Sequence, residues 1–125
     1  MGTATKGEQV KIPRLYSGDD GQSHWGEAEI DTASIGPAFA SEVETATGAQ
    51  FFVAVDGGAT PWHTAPHRAY VVSLEGEAEY EIGDGTRRHF GPGDIFLVED
   101  RTGQGHITRF GESGPRKTLH VVLPD

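Results

Sequence analysis

Three histidines carry most of this chain's capacity for chemistry. His63 and His67 stand in the stretch PWHTAPHRAYVVSLEG, residues 61–76, and His106 follows the polar loop EDRTGQG. Neutral imidazole nitrogens hold divalent transition metals such as Zn, Fe, Mn or Ni. The same rings do acid–base work near neutral pH when no metal is present. Read as a strand, residues 61–76 put His63, Ala65, His67, Ala69, Val71 and Ser73 on one face and Arg68, Tyr70, Val72 and Leu74 on the other. His63 and His67 are then roughly 13 Å apart along the strand. They meet on one ligand only if the strand bends or a third group stands between them. His63, His67 and His106 are the candidate metal ligands, and His63 and His67 the candidate catalytic pair. His120 lies on a strand whose faces read Leu119, Val121, Leu123 and Thr118, His120, Val122. It joins the site if its face is the inward one. Phe51 or Phe52 and Trp62 supply apolar walls, and Tyr70 and Gln104 are further ligand-binding candidates.

The elements that position these residues are short and glycine-bounded. Residues 49–55, AQFFVAV, are dense in strand-favouring side chains. Residues 77–82 alternate Glu77, Glu79 and Glu81 against Ala78, Tyr80 and Ile82, the pattern of a half-exposed strand with a solvated acidic face. Gly83-Asp84-Gly85 is a hairpin signal, and residues 86–90 return from it. Residues 91–94 turn again before a short buried strand at 95–98. Further strands are expected at 106–110 and 117–123. Residues 10–16 suit an edge strand, since Pro13 fits only an edge or a bulge. Residues 32–47 read mostly as loop, with a short helix over 39–46 as the alternative. Residues 1–9 read as a flexible tail and 10–125 as one domain. Glu99 and Asp100 beside Arg101 suggest a salt-bridged surface loop, with a catalytic carboxylate at the barrel mouth as the other reading. Seven or eight short strands joined by glycine turns indicate an all-β antiparallel sandwich or barrel.

Composition narrows the function. The 125 residues suffice for one core, and 18 of them are glycine, which favours many tight turns. There is no cysteine, so thiolate chemistry and disulfides are excluded. A net charge of −9 argues against nucleic acid and anionic membranes. The N-terminus has no apolar segment of the signal-peptide kind, and no stretch reaches membrane-spanning length. A cytoplasmic protein is the expectation.

The motif-bearing part, about residues 50–123, resembles the cupins, the jelly-roll or double-stranded β-helix family. Their first motif runs from a glycine through five residues to His-x-His, then to a Glu and a closing glycine. Here Gly57 leads to His63, and Gly76 stands at the closing position. Gly93-Asp94 resembles the start of the second motif, and His106 is the candidate for its histidine. The resemblance implies an all-β cupin barrel, a small-molecule site at its mouth and a homodimer. In metal-binding members the ligands are two His and a Glu from the first motif and one His from the second. This chain departs from that set. The second His position falls on Ala65, the Glu position on Ala69 or Tyr70, and the second-motif position near Gln104. Only His63 matches by position. Three functions stay open: a metal-dependent enzyme holding one Zn, Fe, Mn or Ni, a metal-free isomerase or cyclase, and a small-ligand binder without chemistry.

Overall fold

The computed structural model describes residues 5–55, 57–112 and 114–125. It contains twelve strands, and no helix among the described residues: β1 (Val10–Ser17), β2 (Ser23–Ile30), β3 (Ala33–Ile35), β4 (Ala38–Ala40), β5 (Gly48–Ala54), β6 (Gly58–Ala59), β7 (Ala69–Glu75), β8 (Ala78–Glu81), β9 (Arg87–Phe90), β10 (Ile95–Glu99), β11 (Ile107–Phe110) and β12 (Arg116–Val122).

The pairing is nested. β5 pairs with β12, β6 with β11, β7 with β10 and β8 with β9, so the chain is doubled back first strand to last. Cross-pairing of β12 with β7 and of β11 with β8 completes two facing sheets. One has the order β2-β1-β10-β7-β12-β5 and the other β6-β11-β8-β9. Eight strands wound in this way form an all-β jelly-roll barrel of the cupin-like kind. β1 and β2 lengthen the larger sheet beyond β10.

Two expectations are corrected here. Residues 10–16 are not at an edge. β1 lies between β2 and β10, and its contact with β10 is parallel, from Arg14↔Leu97 to Tyr16↔Glu99. Pro13 stands one residue before that contact begins, where β1 is paired on one side alone and a missing N–H is harmless. The edges of the larger sheet are β2 and β5. Residues 39–46 form no helix; β3 and β4 make a small hairpin, and the chain then runs irregularly to β5. In the stretch read as a tail, residues 1–4 lie outside the described residues. Residues 5–9 run against the start of the hairpin, with Gly7 N–H donating to Thr32 O and Ser34 N–H to Thr5 O.

The core lies between the two sheets. Leu15, Val71, Phe96 and Val98 from the larger sheet meet Ala78, Tyr80, Ile82 and Phe90 across from them. Period-two alternation in β7, β8 and β10 puts these side chains inward. The rings of Phe90 and Phe96 stack at 4.5 Å, and Tyr80 meets both edge-on. Outside, the larger sheet carries a second small cluster of Ile12, Leu97 and Leu123, with Tyr70 packed on it.

Candidate functional site

Against this core the two sheets enclose a cavity of about 420 Å³, walled by β5, β7, β10 and β12 on one side and by β8 and β11 on the other. Most of its wall is apolar. His63, His67, His106, His120 and Phe52 all line it.

His63 and His106 touch. The ladder of β7 begins at Ala69, so residues 61–68 are not the regular strand their alternation suggests. His63 is instead fixed by an isolated antiparallel bridge to His106. The bridge is reciprocal: His63 N–H donates to His106 O at 3.0 Å, and His106 N–H to His63 O at 2.8 Å. Gly105 permits it. Its φ is +78°, and a Cβ there would collide with the His63 carbonyl group. The two rings lie 4.4 Å apart, centroid to centroid.

Hydrogen bonds fix both tautomers. The Pro61 carbonyl, which can only accept, lies 3.0 Å from His63 Nδ1 and takes its hydrogen bond, while Thr60 Oγ1, itself accepting from Thr108 N–H, lies 3.2 Å from the same nitrogen. His106 Nδ1 lies 2.6 Å from Asp100 Oδ2 and donates to that carboxylate. Each neutral ring therefore keeps its lone pair on Nε2, and no protein group among the described residues bonds to either Nε2. Asp100 is 0 % exposed, and its Oδ2 also accepts from Ser23 Oγ at 2.8 Å. The charged loop EDR is thus split. Asp100 turns inward. Glu99 pairs with Arg14 and Arg68, and Arg101 with Asp125. Burial raises the Glu99 carboxyl, but the two guanidiniums outweigh it and hold the group low.

The remaining candidates divide. His67 is exposed, and among the described residues it does not complete a three-ligand cluster with His63 and His106. His120 faces inward, its ring 4.3 Å from that of Phe52. Burial, and then the charge of Arg116, depress His120 from 6.5 to about 4. Three candidates lie elsewhere. Trp62 is exposed and does not reach the cavity. Tyr70 sits on the outer face, bonded to Glu44 at 2.6 Å, and burial together with that carboxylate pushes its phenol up to about 12. Gln104 borders a separate shallow hollow with Asp20, Gln22 and His24.

A pH effect follows from His120. Above pH 6.5 the ring is neutral in the folded and the unfolded chain alike. As the pH falls from 6.5 towards 4, the unfolded chain takes up a proton that the folded chain refuses. Stability therefore declines across that window and levels off below it. With allowance for the solvent-facing part of the ring, the loss is about 1–2 kcal/mol. Urea unfolding at stepped pH is expected to show it in the native chain and to show a flatter curve in His120→Gln.

Two further residues belong to the site. Tyr80 reaches the cavity from the core. Arg116, the first residue of β12, is 2 % exposed and lines the cavity too. Its signal was available: alternation in RKTLHVV sets Arg116 on the face of Thr118 and His120. Asp100 carried no such signal, because three charged residues in a loop read as surface.

The donor set does not fit the metal of the cupin resemblance. Among the described residues no three His, Cys, Asp or Glu side chains gather at one point, whereas a catalytic zinc takes three protein ligands. Ala65 and Ala69 are buried small residues where two of the usual ligands would stand.

No family model and no curated protein matches the chain. Among solved structures, it is similar to ethanolamine utilization protein Q of Salmonella typhimurium LT2. The match covers 94% of this chain and 98% of that one, at 18% identity and a TM-score of 0.47.

Proposed function

We propose that this protein binds a small organic molecule in the barrel cavity and moves a proton on it without a metal, as an isomerase or cyclase does. The observation that carries the reading is the buried Asp100–His106 pair with His63 beside it. Asp100 holds the His106 ring in one tautomer and stabilises the imidazolium that forms when Nε2 takes a proton. His63, anchored by a carbonyl rather than a carboxylate, has no such support for its charged form. His106 is thus placed to take a proton, and His63, when protonated, to give one. One ring removes a proton from the substrate and its neighbour returns one at an adjacent atom. His67, exposed on the cavity wall, contacts what enters. The apolar wall keeps bulk water from competing.

Solvent deuterium exchange into a panel of small carbonyl compounds, followed by NMR, tests this. His63→Asn and His106→Asn are each expected to slow exchange by about 100-fold or more. Metal content by plasma mass spectrometry is measured on the same untagged protein. Metal in near-stoichiometric amount, retained on dialysis and lost in His63→Ala, would overturn the metal-free reading. Exchange unchanged in both variants would overturn the proton transfer.

A further inference from the structure

We propose that Arg116 is an anion receptor, and that the molecule this cavity takes carries a carboxylate. The inference rests on the same cavity as the reading above, but not on its acid–base chemistry.

Arg116 is nearly inaccessible, and no carboxylate pairs with it among the described residues. Its Nη1 makes one long bond, 3.4 Å, to the Gly76 carbonyl. Its Nε and Nη2 have no hydrogen-bond partner among the described residues. A guanidinium cannot escape this by losing its proton. An uncompensated buried charge is among the least favourable features a fold can hold, so its retention calls for a counter-charge from outside the chain.

The chemistry of that counter-charge is legible. Nε and Nη2 share one edge of the planar guanidinium, the edge whose paired N–H groups match the two oxygens of a carboxylate. A single arginine among apolar walls suits a monoanion. A phosphate dianion would need more positive charge than this face supplies, and the chain's net charge of −9 works against it. The neighbours agree. Thr118 and His120 follow Arg116 on the inner face of β12, and the Tyr80 hydroxyl comes close to it. Ser73, opposite Thr118 in the ladder, also has an unpartnered buried Oγ. Gly76 seats the side chain. At φ +70° it lets the β7–β8 turn press on the start of β12, where a Cβ would come within 2.8 Å of Arg116 Cα.

The test compares benzoate with its neutral isostere benzamide, titrated into the full-length protein by NMR and calorimetry. Benzoate is expected to bind in the cavity, shifting His120 and Phe52 resonances, and benzamide at least about tenfold more weakly. Arg116→Met is expected to lose the preference, and Arg116→Lys to keep part of it. Thermal melts show that the variants fold, and the comparison in the native chain stands even if Arg116→Met does not. Equal binding of the two probes, no binding of benzoate at millimolar concentration, or undiminished benzoate binding in folded Arg116→Met overturns the proposal. The two readings fail separately: a benzoate preference without deuterium exchange leaves the receptor standing and overturns the proton transfer, and exchange without that preference does the reverse.

Discussion

Gly105→Ala is expected to lower stability by more than about 3 kcal/mol and to separate the two central histidines. The new methyl group meets backbone on the opposite side, the His63 carbonyl group and Thr64 N, so no side chain can swing away to make room. An alanine at φ +78° is strained even without a neighbour. Relief requires the segment bearing His63 to move off β11, which breaks both backbone bonds of the His63–His106 bridge. For a domain of this size the midpoint of thermal unfolding should drop by about 10 °C or more. Calorimetry checks the drop, and loss of the magnetic contact between the two imidazoles checks the geometry. A variant that melts within a degree or two of the native protein would mean that the bridge does not need glycine.

Asp100→Ala is expected to cost about 3–5 kcal/mol, because two hydrogen bonds to a buried carboxylate disappear together. Ser23 Oγ and His106 Nδ1 are left without an acceptor in a place water does not reach. The site suffers separately. Without the carboxylate, His106 is free to carry its hydrogen on either nitrogen, and the lone pair at Nε2 is no longer assured. Nitrogen-15 NMR of the ring reads the tautomer, and urea unfolding reads the stability. Asp100→Asn divides the two effects. It keeps the volume and one acceptor oxygen, so it should unfold closer to the native protein while losing the support for an imidazolium. A single tautomer persisting in Asp100→Ala would show that the bridge backbone, not the carboxylate, orients the ring.

The barrel is legible in the sequence because its turns are written in glycine. Gly83-Asp84-Gly85 and residues 91–94 mark β8, β9 and β10 closely, and the alternation of 77–82 names the inward residues Ala78, Tyr80 and Ile82. What alternation cannot supply is the partner of each strand. Pro13 in β1 signals an unpaired side, but only the nested topology reveals that β10 runs parallel to it. The same holds for the site. His63 is found by its motif position, whereas its contact with His106 depends on two loops meeting across the sheets. Asp100 is misread because charge in a loop ordinarily means water, and here a buried imidazole is the competitor that wins. Arg116 hides between Pro115 and Lys117, and only the strand period assigns it an inward face.

The doubled-back pairing also governs when the site exists. His63 precedes the β8–β9 turn about which the nested strands fold back, His106 follows it, and Arg116 stands on β12. A nascent chain released as far as β10 lacks the His63–His106 bridge and the β5–β12, β7–β12 and β8–β11 pairs. Contacts of such long sequence separation form late and make for slow folding. Until β12 arrives, β5 has no partner on either side. Its Phe51, Phe52 and Val53, still 71%, 42% and 57% exposed in the finished barrel, lie bare on an open edge. That interval is when self-association threatens most, because an open edge carrying apolar side chains invites pairing with a second copy.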